Sequence, residues 1–294
     1  MSPPADLTAL ITGADGQLGD ALRATVPGGW RVLAYGSRAL DVADEAATQA
    51  AIQRERPDLV INTAAYTAVD AAEAEPERAA AINERGAANV AAAAAEAHAR
   101  FLHISTDFVF DGRQGRPYTP DDATNPLSVY GRTKLAGERE VIRISPEALI
   151  VRTAWVYSAH RRNFVLSMLK LMHERDAIRV VSDQIGTPTW ARSLADAIWS
   201  MADIPGMRGV HHWTDAGVAS WYDFAVAIQE EALAVRLLER DVRVLPITTA
   251  DYPTAATRPA FSVLDKTATW AAIGQAPRHW RVNLRHMLEG LRHG

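Results

Sequence analysis

The chain contains no cysteine, which excludes disulfides, thiolate metal centres and cysteine nucleophiles and suits a reducing compartment. A basic stripe is also missing. Acids and bases are interspersed and the net charge is −4, so neither nucleic acid nor an anionic membrane surface is expected as a partner. No apolar run is long enough to cross a bilayer, the stretch around Ala91–Ala95 being short and alanine-rich. The start, "MSPPADLTAL", lacks the basic and apolar regions of a secretion signal. A cytoplasmic location is expected. Internal repeats and low-complexity linkers are absent as well.

What is present is 294 residues with 48% hydrophobic content, enough for one large or two modest cores. Five short apolar runs, "LTALIT" (7–12), "RVLAY" (31–35), "DLVINTA" (58–64), "RFLHIST" (100–106) and "ALIVRTAW" (148–155), alternate with helix-length stretches. That alternation predicts βαβ units and an α/β, doubly wound parallel sheet covered on both faces. The alanine-rich stretch 78–99 reads as one helix packed closely on that sheet. Seven of the eight tryptophans lie at Trp155 or later. This divides the chain into a Rossmann-like dinucleotide-binding domain, 1–154, and a smaller C-terminal substrate-binding lobe, 155–294, parts of which can return to the first domain.

"LITGADGQLGDAL" (10–22) follows the first strand and opens a helix, with Gly13, Gly16 and Gly19 at three-residue spacing around Gln17 and Leu18. Glycines there make the tight turn and admit a pyrophosphate to the free N–H groups of the helix start. After the second strand comes "AYGSRALDV" (34–42), with no acid directly at the strand end. Ser37 and Arg38 can hold a 2′-phosphate, which favours NADPH and leaves NADH open, while Asp41 and Val42 flank the adenine.

Thr106 stands at the end of the fourth run, where open α/β sheets bind ligands. Tyr130 and Lys134 in "SVYGRTK" are one helical turn apart and share a face. A free phenol ionises near a pKa of about 10, and a neighbouring ammonium lowers it, making Tyr130 a tuned acid. A hydroxyl at Thr106 can bond the same oxygen that Tyr130 protonates. His103 falls within a buried strand, and His211 and His212 point to opposite faces of another, so structural roles are expected and no metal spacing is found.

Several motifs now resemble a known family: "TGADGQLG" (12–19), "NTAAYTAVDAAE" (62–73), "STDFVF" (105–110), "VYGRTKLAGE" (129–138), "RTAWVY" (152–157), "DQIGTPT" (183–189), "WYDFA" (221–225) and "YPTAATRPAFSVLD" (252–265). Over nearly the whole chain the sequence resembles the extended short-chain dehydrogenase/reductases, and within them the dTDP-4-dehydrorhamnose reductase family. The resemblance implies a catalytic Thr106, Tyr130 and Lys134, with Lys134 also bonding the nicotinamide ribose. It implies NADPH-dependent reduction of the C4 ketone of dTDP-4-dehydro-L-rhamnose, and a homodimer. Ala64, Ala65 and Tyr66 would flank the nicotinamide. Tyr66, Val69, Asp70, Thr106, Asp107, Phe108, Trp155, Asn163, Gln184, Thr187 and Arg258 would approach the sugar or diphosphate. Sugar-nucleotide dehydratases of this superfamily resemble one another in carrying "TDE" where this chain has Phe108, which argues against dehydration. Magnesium occurs at a subunit contact in some members, but no position for it follows from the sequence. Two alternatives remain: reduction or epimerisation of another nucleotide sugar, and a cofactor-binding regulatory subunit similar to the beta subunit of methionine adenosyltransferase.

Overall fold

The computed structural model describes residues 7–274 and 276–293; the first six residues of the N-terminal stretch read above, and the outer ends of the two expected regions, lie outside them. Its centre is a parallel sheet of β1 (Leu7–Thr12), β2 (Trp30–Tyr35), β3 (Leu59–Asn62), β4 (Arg100–Thr106), β5 (Leu149–Thr153) and β10 (Gly209–His212), in the order β10-β5-β4-β3-β1-β2. Between these run α1 (Gln17–Ala24), α2 (Glu45–Glu55), α3 (Val69–Ala74), α4 (Pro76–Ala80), α5 (Gly86–Glu96) and α6 (Val129–Ile144). β2 lies on one side of β1 and β3 on the other, so the winding direction reverses there. The crevice beyond the carboxyl ends of β1 and β3 is where such sheets bind ligands.

Successive residues of β1 enter different cores: Leu10 packs with Ile52, Val60, Ala91 and Ile150, whereas Ile11 packs with Leu18, Leu22, Leu102 and Leu194. Both faces are covered, which is why these strands are apolar without alternation.

The second half adds β6 (Val156–Tyr157), α7 (Phe164–Glu174), β7 (Ala177–Val181), β8 (Ile185–Gly186), β9 (Thr189–Trp190), α8 (Ala191–Ala202), β11 (Ala219–Ser220), α9 (Trp221–Ala234), β12 (Arg243–Ile247), α10 (Thr267–Ile273) and α11 (Trp280–His293). A separate core of Val165, Met168, Phe224, Ile228, Trp280 and Leu284 holds the lobe. α8 and β10 instead join the first sheet, where Trp199 and Trp213 are buried among its core residues.

The stretch 78–99 is not one uniform α-helix. α4 passes into a π-helical turn, Ala81–Arg85, before α5 begins. The wider turn presents Asn83, whose side chain accepts from Tyr66 N–H (2.8 Å) and donates to Tyr66 O (3.2 Å) and Thr133 Oγ1 (3.1 Å). Short π segments of this kind occur often at functional sites. Among the described residues no helix is long and apolar enough to cross a membrane.

Candidate active site

β1 ends in a turn that only glycine makes without strain. Gly13 has φ +68°, and a Cβ there would stand 2.5 Å from the backbone nitrogen of Ala64. At Gly19 a Cβ would meet Ala14 Cα at 2.6 Å, so the absent side chain lets α1 sit against the turn. The turn faces a cleft of about 640 Å³ whose lining includes Gly16, Gln17, Leu18, Gly19, Ala65 and Val69. Thr106, Asp107, Phe108, Tyr130, Lys134, Trp155, Asn163 and Arg258 line it too. This volume is that of an ordinary ligand pocket, and the glycine turn with its free helix start fits a dinucleotide's pyrophosphate.

Thr106 closes β4, and its Oγ1 donates to Asp107 Oδ1 (3.1 Å) and accepts from Phe108 N–H (3.2 Å). Asp107 is buried, and withdrawal from water pushes its carboxyl up to about 6, against the lowering effect of hydrogen bonds such as that from Thr106. Tyr130 sits in the first turn of α6, whose start is capped by Ser128 accepting from Gly131 N–H (3.1 Å). Phe108 meets its ring edge-on at 5.5 Å.

The expectation that Lys134 lowers the phenol's pKa is not met by the chain alone. Lys134 is 2% exposed, and its Nζ donates to Ile104 O at 2.7 Å and lies 3.4 Å from His103 Nε2. With the ammonium so engaged, desolvation dominates and pushes Tyr130 up to about 12, opposed by the Thr106 hydroxyl and reinforced by the Asp107 carboxylate. Burial takes Lys134 down to about 8, with Glu138 opposing.

Other expected residues are distributed unevenly. Trp155 lines the cleft with φ +47°, a strained value for a tryptophan. One indole face is stacked on Trp221 (3.5 Å, 6°), and its edge lies where a Cβ on Gly186 would be. Asn163 lines the cleft but is committed to capping α7, accepting from Leu166 N–H (3.1 Å), and to Gln17 Oε1 (3.1 Å). Arg258 is held by Asp70 through two bonds of 2.7 and 3.1 Å, so each neutralises the charge that the other would offer a ligand.

Gln184 and Thr187 do not line the cleft: Gln184 donates to Thr249 Oγ1 (3.1 Å) and the fully buried Thr187 to Gly217 O (2.9 Å). Nor does Tyr66, whose ring lies under Arg78 at 5.5 Å, or Ala64, whose N–H is bonded to Asn62. Ser37 and Arg38 are exposed beyond β2, Asp41 bonds Ala43 N–H (3.0 Å), and Val42 is buried against Gly86.

Sequence reasoning missed several groups. Ser105 and Thr153 line the cleft with buried hydroxyls that have no partner, and Arg161 and Arg162 stand at its edge. Thr153 lies beside Thr106 across β4 and β5, a register set by strand pairing and carried by neither run alone. The Asp15 carboxylate occupies the space a Cβ on Gly36 would need, putting an acid at the end of β2 from the glycine loop instead of from β2 itself. His212 is buried and held down to about 3 chiefly by burial, and its Nδ1 faces Tyr118 O at 3.0 Å. Among the described residues no group of three or more His, Cys, Asp or Glu could hold a metal ion, so magnesium gains no position.

A doubly wound parallel sheet that brings a glycine turn, a threonine, a tyrosine and a lysine to one cleft defines the class, an NAD(P)H-dependent oxidoreductase of the short-chain dehydrogenase/reductase type. Residues 7–293 match the RmlD substrate binding domain family. The chain is 42% identical to dTDP-4-dehydrorhamnose reductase of Aggregatibacter actinomycetemcomitans, over 95% of this chain and 97% of that one. It is 43% identical to a probable dTDP-4,6-dihydroxy-2-methyloxan-3-one 4-ketoreductase of Streptomyces antibioticus, covering 94% and 92%. The solved structure of dTDP-4-dehydrorhamnose reductase from Bacillus anthracis in complex with NADP superposes with a TM-score of 0.91 at 34% identity, covering 96% and 98%. The chain belongs to the RmlD family.

Proposed function

We propose that the protein reduces the C4 ketone of dTDP-4-dehydro-L-rhamnose with NADPH, giving dTDP-L-rhamnose. The observation that carries this reading is the meeting of the glycine turn with Thr106, Tyr130 and Lys134 in one cleft, together with the named activity of the relatives. A bound nicotinamide supplies the hydride; the chain's own residues manage the oxygen and its proton.

Tyr130 keeps its proton at neutral pH and gives it to the ketone oxygen as that oxygen gains charge. Thr106 bonds the same oxygen; a well-placed donor of this kind lowers the barrier by about 3 kcal/mol. Asp107 helps when protonated, because its O–H then turns toward Thr106 Oγ1 and frees the threonine proton for the substrate. Lys134 restores the charge balance near the phenolate that Tyr130 becomes. The glycine turn holds the pyrophosphate, Arg161 and Arg162 meet the sugar's diphosphate, and Trp155 with Trp221 offers an apolar wall to the deoxy sugar. Arg38 favours a 2′-phosphate, whereas Asp15 at the end of β2 keeps NADH usable. The protein works in the cytoplasm as a homodimer, a state that sedimentation velocity would resolve from a monomer.

One observation favours a second reading: a relative named for a different dTDP-linked ketosugar is as similar as the rhamnose reductase. The test is NADPH oxidation, followed at the nicotinamide absorbance, with dTDP-4-dehydro-L-rhamnose and with other dTDP-linked 4-ketohexoses in parallel. A kcat/KM at least tenfold higher for the rhamnose precursor supports the proposal. Preference for another ketosugar moves the assignment to that sugar, and oxidation with none overturns the reductase reading.

A further inference from the structure

A polar row crosses one face of the sheet beneath the cleft. Thr12, Asn62 and His103 are in register on β1, β3 and β4, and Lys134 reaches the end of the row from α6. All are buried: Asn62 is 1% exposed, His103 not at all, and Lys134 2%. Buried polar groups of this kind have to satisfy one another.

The donors and acceptors fix each other in sequence. Asn62 Oδ1 accepts from the backbone N–H of Ala64 at 3.1 Å and from Thr12 Oγ1 at 2.7 Å. A backbone N–H donates only, so this atom is the amide oxygen. The amide NH2 therefore faces His103 Nδ1 at 3.1 Å, which leaves Nδ1 as the acceptor. A neutral imidazole then carries its proton on Nε2, and complete burial keeps the ring neutral. That N–H points at Lys134 Nζ, 3.4 Å away. An ammonium has three donors and no acceptor, whereas a neutral amine offers a lone pair.

We propose that Asn62 fixes His103 as its Nε2–H tautomer, and that this N–H selectively stabilises the neutral amine of Lys134. His103 is thus a positioning residue for the proton step, and its relevance to turnover rests on the proposed reductase reading. Once Tyr130 has given its proton to the substrate, Lys134–NH3+ and the phenolate become Lys134–NH2 and Tyr130–OH. The amine formed finds the His103 N–H already in place, and solvent later returns the proton. Lys134 shares the cleft with Tyr130 and Asp107, and the charge that acts on it is that of Glu138 on α6, which is bonded to Arg152 on β5. Glu138 opposes deprotonation. Apart from the Tyr130 hydroxyl, none of them supplies a free donor that only the neutral amine can accept.

The chain suits a direct test because its only lysines are Lys134, Lys170 and Lys266. The measurement is made on the whole protein without substrate, using 15N-labelled histidine and lysine carrying 13C at Cε. Two-bond 1H–15N correlations report which nitrogen of His103 is protonated, and the three Cε signals report each lysine's titration. The expected result is a bare Nδ1, a protonated Nε2, and a Lys134 midpoint well below that of exposed Lys170. In His103→Phe the midpoint should rise by about one pH unit.

A protonated Nδ1, an imidazolium between pH 6 and 8, or an unmoved midpoint in a folded His103→Phe protein would overturn the proposal. If that variant does not fold, the tautomer in the unmodified protein still decides. Failure of the reductase reading would appear separately, as absent NADPH oxidation with the tautomer in place.

Discussion

Asp107 shows at the scale of a single residue how a reactive group is maintained against stability. Its folded value of about 6 lies above the ordinary 3.8, so between these values the folded state binds more protons than the unfolded one. Stability contributed by this site is therefore full below pH 3.8 and falls as pH rises through 6. Asp107→Asn should stabilise the protein by about 3 kcal/mol at pH 8 and by almost nothing at pH 3.5, as read by chemical denaturation. Activity should persist and lose its dependence on protonation of residue 107, since the Asn amide N–H can donate to Thr106 Oγ1 as the protonated carboxyl does. Arg38→Ala should lower kcat/KM for NADPH roughly tenfold while leaving NADH nearly unchanged, since only NADPH presents a 2′-phosphate to this side chain. At this scale the sequence was readable wherever a residue's chemistry suffices: Thr106, Tyr130 and Lys134 all line the cleft. It was unreadable where partners decide. Arg258 looked free until Asp70 was found across from it, and the direction of the Tyr130 shift depends on Lys134 turning to Ile104.

Among the elements, α6 governs the site because it carries both Tyr130 and Lys134. It is fixed to β5 by a buried ion pair, in which Arg152 Nε and Nη2 donate to the Glu138 carboxylate at 2.9 and 2.7 Å. Glu138→Ala leaves a buried guanidinium without its partner and should cost about 3–5 kcal/mol in denaturant unfolding. Two glycines bring the helix close to its neighbours: a Cβ on Gly131 would lie 2.3 Å from Phe108 O, and one on Gly137 2.1 Å from Asn83 O. The parallel strands were legible because burial on both faces writes continuous apolar runs. The π turn was not, because "AINER" carries no Gly or Pro to mark a break in the helix and differs only in how Asn83 is bonded. The ends of "DLVINTA" and "ALIVRTAW" extend beyond β3 and β5 because Thr63 and Trp155 leave the ladder to line the cleft.

For the whole molecule, the cleft lies between the core of the sheet and the core of the C-terminal lobe, with residues from both in its lining. Gln17 in the glycine turn bridges them, accepting from Ser158 Oγ (3.0 Å) and Asn163 Nδ2 (3.1 Å). NADPH at one hundred times its Kd should therefore stabilise the folded chain by about 2.7 kcal/mol, seen as a rise in Tm. The composition change after residue 155 was visible in the sequence, and so was room for part of the second region to return to the first; that the returning elements are α8 and β10 was not, since strand order is set by packing and not by local pattern. The central claim is that Tyr130 protonates a sugar ketone while NADPH supplies hydride. It is tested most directly by comparing wild-type and Tyr130→Phe proteins for NADPH binding and for NADPH oxidation with dTDP-4-dehydro-L-rhamnose. Binding should be unchanged and kcat lower by roughly 10²–10⁴-fold in the variant; equal turnover by the two proteins would rule out Tyr130 as the proton donor.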